Sequence, residues 1–390
     1  MKYTIDVAYK SLNKKGEELC GDKVAITRTE NSTICVLCDG LGSGVKANIL
    51  ATLSSQILVT MLKEGATIEQ AVETLAGTLP VCSVRKVAYA TFSVLQITDE
   101  GEAYLVEFDN PFCVFVRNGA FVQLPCIYKE YAGKGVYESR FTVMPDDSLT
   151  IVSDGVIYAG VGATLNFGWT WESLCEWLVR TVKKGMSAVR VATMLSQAVS
   201  DLYMGECGDD STVMTVMIKP RQQVNLLASP PKDKEKDMQM VRDMMKSSGK
   251  KVVCGGSSAN MVARCLHRQV YTTLTYSDPS IPPTGIIDGI DLVTEGVLTM
   301  SRTVEILRDI IDETADADDI KRIDADNGAA QLAKMLLENC THLKLLIGTA
   351  INPAHQNPNL PTDLSIKLKL IDQLCEQMEK LGKTVEKTYY

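Results

Sequence analysis

The 390-residue sequence predicts an α+β fold, a layered β-sandwich flanked by helix pairs and followed by a smaller α/β domain. Three observations carry this expectation. Short runs rich in β-branched residues follow one another through tight turns, as in a meander. Segments with apolar residues at helical spacing come in adjacent pairs rather than singly between strands. After about residue 220 the pattern changes to strand, glycine turn and helix in alternation, which is the signature of a parallel sheet.

The chain opens on three strand candidates, YTIDVAYKSL, DKVAITRT and STICVLCD, separated by polar turns. VKANILATLSSQILVTMLKEG then reads as a long helix ended by Gly65, and TIEQAVETLAGTL as a second helix opening on a threonine cap. ATFSVLQIT, EAYLVEFD, CVFVRNG and AFVQLP continue as short strands joined by turns such as Asp-Glu-Gly and Arg-Asn-Gly. Beyond SLTIVSDGVIYAG lie two more helices, WESLCEWLVRTVKKG and SAVRVATMLSQAVSDLY, and a closing strand, STVMTVMIKP.

A hydrophobic fraction of 45% and the chain length suit soluble globular structure in roughly two domains. The longest apolar stretches are interrupted by polar residues and the start lacks the apolar core of a signal peptide, so the expected location is the cytoplasm, with no membrane association. The net charge of -8 argues against nucleic acid, whose phosphates call for a basic surface. Twelve cysteines are scattered singly, many inside apolar runs, as small buried residues are in a reducing compartment. Cys35 and Cys38 form a C-x-x-C pair, but residues three apart on a strand point to opposite faces, so a shared zinc or redox role is not expected. With only three histidines, His267, His342 and His355, a zinc site built on imidazole is not expected either.

Four aspartates stand at strand ends beside glycine: Asp22 in CGDKVAI, Asp39 in VLCDGLGSG, Asp154 in IVSDGV and Asp209 in CGDDSTVM. Asp next to Gly is ordinarily a turn residue capping backbone amides, and each of the four singly admits that reading. The glycines after Asp39 fit neither a dinucleotide fingerprint nor a P-loop. Carboxylates gathered from strand ends repel one another unless cations neutralise them, and hard divalent ions take oxygen ligands of this kind. The combination therefore points to Mg²⁺ or Mn²⁺.

The order GD, DGLGSG before a helix, SDGV, and GDDST before a final strand resembles the metal-dependent type 2C protein phosphatases. It is most similar to their bacterial branch named after the stage II sporulation protein E. The resemblance covers about residues 1–220. It implies hydrolysis of phosphoserine or phosphothreonine in a regulatory phosphoprotein by a water that two divalent cations, Mn²⁺ or Mg²⁺, activate. It further implies that Asp39 bridges the two metals, that the Gly40 carbonyl and Asp22 complete one site, and that Asp154 and Asp209 hold the other. Asp210 stands where relatives often carry Asn and is a supporting residue. Leu41 occupies the place of a histidine in the animal enzymes, so no side-chain acid is expected there. The phosphate-binding arginine of those enzymes has no match, since neither Lys23 nor Arg28 lies in a corresponding motif. A catalytically weak regulator that uses this fold to bind a partner is the alternative reading.

Pro-Pro and a charge run mark residues 221–240 as a linker, and residues 241–390 as the second, α/β domain. KDMQMVRDMMKSSGKK reads there as an amphipathic helix packing on the domain. Ligands of such sheets collect outside the carboxyl ends of the strands, so Gly255, Gly256, Ser257, Ser258, Glu295, Gly348, Thr349 and His355 form a candidate pocket for a phosphate-bearing small molecule. Ordinary βα turns are the competing reading. A ligand-sensing or partner-docking role, and assembly as a homodimer, are both compatible with this organisation.

Overall fold

The structure is a computed structural model that describes residues 3–78, 90–272, 281–312, 314–350 and 363–390. The chain divides into two units, Met1–Pro220 and Arg221–Tyr390. In the first, β1 (Tyr3–Leu12), β2 (Asp22–Arg28) and β3 (Ser32–Asp39) precede the helix pair α1 (Gly44–Lys63) and α2 (Ile68–Thr78). Next come β4 (Thr91–Thr98), β5 (Glu102–Phe108), β6 (Val114–Arg117), β7 (Ala120–Phe121), β8 (Cys126–Tyr131), β9 (Lys134–Thr142) and β10 (Ser148–Val152). A one-turn helix, α3 (Asp154–Ile157), leads to the pair α4 (Trp171–Thr181) and α5 (Ala188–Leu202), and β11 (Ser211–Pro220) closes the unit.

The strands form two antiparallel sheets, β1-β11-β10-β6-β7 and β2-β3-β4-β5-β9-β8. Alternation along β3 explains the layering. Cys35 and Leu37 face the core between the sheets, with Ile151, Met214 and Val216, while Ile34, Val36 and Cys38 face α1 and α2. On β11 the same alternation sends Val213 and Met217 toward α4 and α5. The result is four layers, helices, sheet, sheet, helices. Cys35 and Cys38 thus lie in different layers, and all eleven cysteines among the described residues are free.

By length and composition alone α1 would pass for a membrane span, at a mean hydropathy of 1.3, although the sequence reading found none. Ala51, Leu58 and Val59 of this helix pack into the core over β3. Full burial of a leucine such as Leu58 contributes about 1.5–3 kcal/mol. Thr67 caps α2, and Gln70 answers it with its side chain on the Thr67 amide, 3.0 Å away.

The hairpin of β8 and β9 was not expected from the sequence. Ala132 and Gly133 turn it with φ of 49° and 75°, as a two-residue hairpin loop requires. β8 is an edge strand with five exposed residues in six, and its charged pattern CIYKEY hides the strand signal.

The second unit contains β12 (Gln223–Ala228), α6 (Asp237–Lys246), β13 (Lys250–Cys254), α7 (Gly256–Leu266), β14 (Tyr271–Thr272), β15 (Gly285–Ile286) and β16 (Leu292–Thr294). It continues with α8 (Val297–Ile311), α9 (Ala317–Lys321), α10 (Gly328–Glu338), β17 (His342–Ile347), α11 (Asp363–Lys380) and β18 (Thr384–Tyr389). Its sheet runs β14-β15-β16-β13-β12-β17-β18, and the five strands from β16 to β18 are parallel. This is a doubly wound order.

Residues 221–240 are therefore not a linker. QVNLLA is the central strand, paired on both sides, and α6 already begins at Asp237. A strand buried on both faces is a short apolar run without alternation, and the Pro-Pro that follows it masked that signal. α6 seats Met240 and Met244 in the core of this unit.

Candidate metal centre

The first two aspartates meet through strand register. Asp22 opens β2, Asp39 ends β3, and the two stand directly opposite each other in the antiparallel pair. Beyond the strands the Gly40 amide donates to the Gly21 carbonyl, 3.1 Å away. From the other sheet, β10 runs out into Ser153 and Asp154, and β11 begins just after Asp209 and Asp210. Ser153 joins the two sheets at this end. Its hydroxyl donates to Asp22 Oδ2 at 2.7 Å and accepts from the Thr212 amide at 2.8 Å.

Close approach explains the glycines. A Cβ on Gly40 would lie 2.1 Å from the Ala47 carbonyl oxygen of α1, and one on Gly155 would lie 2.1 Å from the Asp210 carbonyl oxygen. Gly21 backs onto Asp210, whose Oδ2 would be 2.8 Å from a Cβ there. The glycines beside the aspartates let α1, the Asp154 turn and the start of β11 close on one point.

The electrostatics are those of crowded like charges. Burial pushes the Asp22 carboxyl up to about 7, with the Asp210 and Asp154 charges adding to it against hydrogen bonds from Ser153 and Thr212. Asp39 is pushed up to about 9, first by burial and then by the charges of Asp22, Asp154 and Asp209. Asp154 is raised by burial and by Asp209, and it shares a hydrogen bond with Asp39. Asp22 Oδ1 and Asp210 Oδ2 are buried without a hydrogen-bond partner. Among the described residues no three acidic, histidine or cysteine side chains are drawn into one closed cation cage. Like charges push one another apart when no counter-charge stands between them. Buried oxygens without donors, and carboxyls held protonated only by mutual repulsion and burial, fit divalent cations as the missing counter-charge.

The sign of this strain gives a prediction. Asp22 and Asp39 have folded values above the unfolded value of about 3.9. The folded chain then holds protons that the unfolded chain releases, so their stabilising contribution is complete below about pH 4 and is lost as pH rises through the folded values. In chelator the melting temperature is expected to fall between pH 5 and 9, and saturating Mn²⁺ to flatten that fall. A melting temperature that climbs with pH in chelator would refute the coupling.

Residues 29–219 match the family model described as Stage II sporulation protein E (SpoIIE). Most of the first unit is thus similar to the stage II sporulation protein E family. Among solved structures, this chain resembles the PP2C phosphatase domain with a fragment of the regulatory domain of SpoIIE from Bacillus subtilis, at 17% identity and a TM-score of 0.47. That match covers 56% of this chain and 63% of the other, so the chain spans less than two thirds of that structure. It also resembles the RsbU and RsbW domains of a Mycobacterium tuberculosis protein, at 17% identity and a TM-score of 0.45, over 61% of this chain and 67% of that one. RsbX in complex with magnesium matches at 20% identity and a TM-score of 0.41, over 56% of this chain and 97% of the other. No curated protein matches the chain.

Within this unit one cation beside the aspartates escaped sequence reasoning. Lys14 Nζ lies 3.2 Å from Asp209 Oδ1, and the Lys14 amide donates to Asp210 Oδ1 at 2.9 Å. Lys23 and Arg28, the cations weighed from the sequence, lie on β2; the Arg28 guanidinium donates to the Ile5 carbonyl. Leu41 follows Gly40 and offers no proton.

The candidate residues of the second unit separate into two places. Gly255, Gly256 and Ser258 lie at the end of β13 beside Glu295 and Gly296 at the end of β16. Gly348 instead abuts Pro230 after β12, and Thr349 donates to the Tyr390 carbonyl. β12 separates β13 from β17, so Thr349 does not share the turns of β13 and β16. His355 falls outside the described residues.

Proposed function

We propose that the first unit hydrolyses phosphoserine or phosphothreonine in a regulatory phosphoprotein, with two divalent cations, Mn²⁺ or Mg²⁺, held by Asp22, Asp39, the Gly40 carbonyl, Asp154 and Asp209. The observation that carries this reading is the gathering of carboxylates from both sheets around buried oxygens that lack donors. When bound, the cations supply Lewis-acid charge that makes water nucleophilic and neutralises phosphate oxygens. Around them, Ser153 and Thr212 fix Asp22, and the Asp22–Asp39 register fixes Asp39. Lys14 stands at the rim, where its ammonium, released from Asp209, contacts a phosphate oxygen. With Leu41 in place of an acid, the leaving alkoxide takes its proton from solvent.

The test is Mn²⁺-dependent phosphate release from phosphoserine peptides by the full chain. Absence of release at saturating Mn²⁺ would favour the partner-binding regulator instead. For Lys14→Met we expect kcat/KM to fall about 10- to 100-fold, the worth of one charged hydrogen bond, with inhibition by inorganic phosphate weakened in parallel. Mn²⁺ affinity should hold or rise, because Asp209 loses a competing cation. If Mn²⁺ affinity drops while phosphate inhibition stays intact, Lys14 only supports Asp209.

A further inference from the structure

The helix-facing side of the sheet β2-β3-β4-β5-β9-β8 changes character where its helices end. Alternation puts Phe92 and Val94 of β4, Val106 and Phe108 of β5 and Val136 of β9 under α1 and α2. Past the turn between those helices the same face continues with Gln96, Tyr104, Glu138 and Arg140. A cleft of about 460 Å³ opens there, floored by these four residues and bounded by Leu62, Ala66 and Glu69. Its size is that of a small-molecule site. Thr91 stands opposite Asp39 at one end of β4 and Thr98 lines the cleft at the other, so the cleft lies roughly 20 Å along the strand from the metal centre.

The polar floor is held in place by a buried charge. Glu138 is 5% exposed. Its Oε1 accepts from the Tyr131 hydroxyl at 2.6 Å, its Oε2 pairs with Lys129 Nζ at 2.9 Å, and Tyr104 adds a third hydrogen bond. Burial pushes the Glu138 carboxyl up, but these donors more than offset it and hold it below its ordinary value. One ionised carboxylate thus fixes two tyrosines and a lysine side by side. Arg140, directly opposite Tyr104 in register, lays its guanidinium over that ring, 3.9 Å from the centroid. Stacking occupies the face of the guanidinium and leaves its edge of N–H donors open, the fork that matches a carboxylate.

A second charge on this face decides the class of ligand. Glu102 also lines the cleft, two residues before Tyr104 and diagonal to Arg140, at a spacing that long side chains span. Yet among the described residues Arg140 has no acidic partner and Glu102 no basic one. A guanidinium and a carboxylate kept apart on one face suit a ligand that carries both charges. Leu62 and Ala66 offer an apolar wall beside them. We infer that this cleft binds a free α-amino acid with an apolar side chain, its carboxylate on Arg140, its ammonium on Glu102 and its side chain against Leu62 and Ala66.

The full chain is titrated calorimetrically in EDTA, which keeps divalent cations from the aspartates, with leucine, 4-methylpentanoate and 3-methylbutylamine. These carry both charges, only the negative and only the positive. Leucine is expected to bind at least about tenfold more tightly than either analogue, the worth of one charged hydrogen bond. Arg140→Gln should weaken leucine and 4-methylpentanoate about tenfold and leave 3-methylbutylamine unchanged. Glu102→Gln should weaken leucine and 3-methylbutylamine and spare 4-methylpentanoate. Both positions are exposed, so both variants should melt with the wild type. Absence of leucine binding at millimolar concentration, equal affinity for leucine and 4-methylpentanoate, or the same loss of all three ligands in both variants would overturn the assignment. Phosphate release is a separate measurement, so either result stands without the other.

Discussion

Asp39→Asn is expected to lower phosphate release by about a thousandfold or more, since several kcal/mol of charge stabilisation at the reacting centre depends on this carboxylate and each tenfold is about 1.4 kcal/mol. Asp39 faces Asp22 in register, hydrogen-bonds Asp154 and feels the Asp209 charge. An amide keeps the shape and removes the charge. Mn²⁺ affinity measured calorimetrically should fall together with the rate, while the metal-free variant should melt at a higher temperature than the wild type at pH 8, because a repelling group has gone. Asp210→Asn is the internal comparison and should be milder. A variant at position 39 that keeps most of the rate would remove Asp39 from the bridging role, and equal damage at Asp209 and Asp210 would reverse their order as ligands.

Gly40→Ala should be the most destabilising single methyl in the first unit. The added carbon meets backbone, 2.1 Å from the Ala47 oxygen and 2.6 Å from its carbonyl carbon, and relief requires α1 to move off the sheet. Overpacking against an immovable neighbour costs about 3 kcal/mol or more, or about 6–12 °C in melting temperature for a unit of this size. Gly77→Ala, in α2 with nothing within 4 Å of the new carbon, should instead be neutral or stabilise by up to about 1 kcal/mol. Equal melting temperatures for the two variants would mean that α1 does not close on Gly40 as described.

What the sequence disclosed follows from how local each signal is. The convergence of the strand-end aspartates was legible because close approach demands glycine beside each of them, a constraint that falls within a few residues. The helix pairs and most strands were legible from periodicity. Lys14 was not, because its meaning lies in a contact with Asp209, 195 positions away, and nothing in SLNKKGEE separates it from Lys15, which pairs with Glu206. β8 was hidden by its charges and β12 by the prolines after it. The glycines at 255 and 296 were visible as turns, but that their backbones touch, and that Thr349 belongs elsewhere, depends on strand order, which a single sequence does not encode.

The interior placement of β3 and β11 decides where the first unit opens most easily. Every residue from Ser32 to Cys38 and from Ser211 to Lys219 is buried, and each strand is paired on both edges. Amide hydrogens there exchange only when much of the unit opens, so the anchors of Asp39 and Asp209 have the longest protection lifetimes in the fold. Ser43 and Glu17, which tie the start of α1 to the turn before β2 through a single 3.0 Å hydrogen bond, lie nearer the surface and open at far lower cost. Deuterium uptake is therefore expected at residues 41–43 well before it appears in β3 or β11.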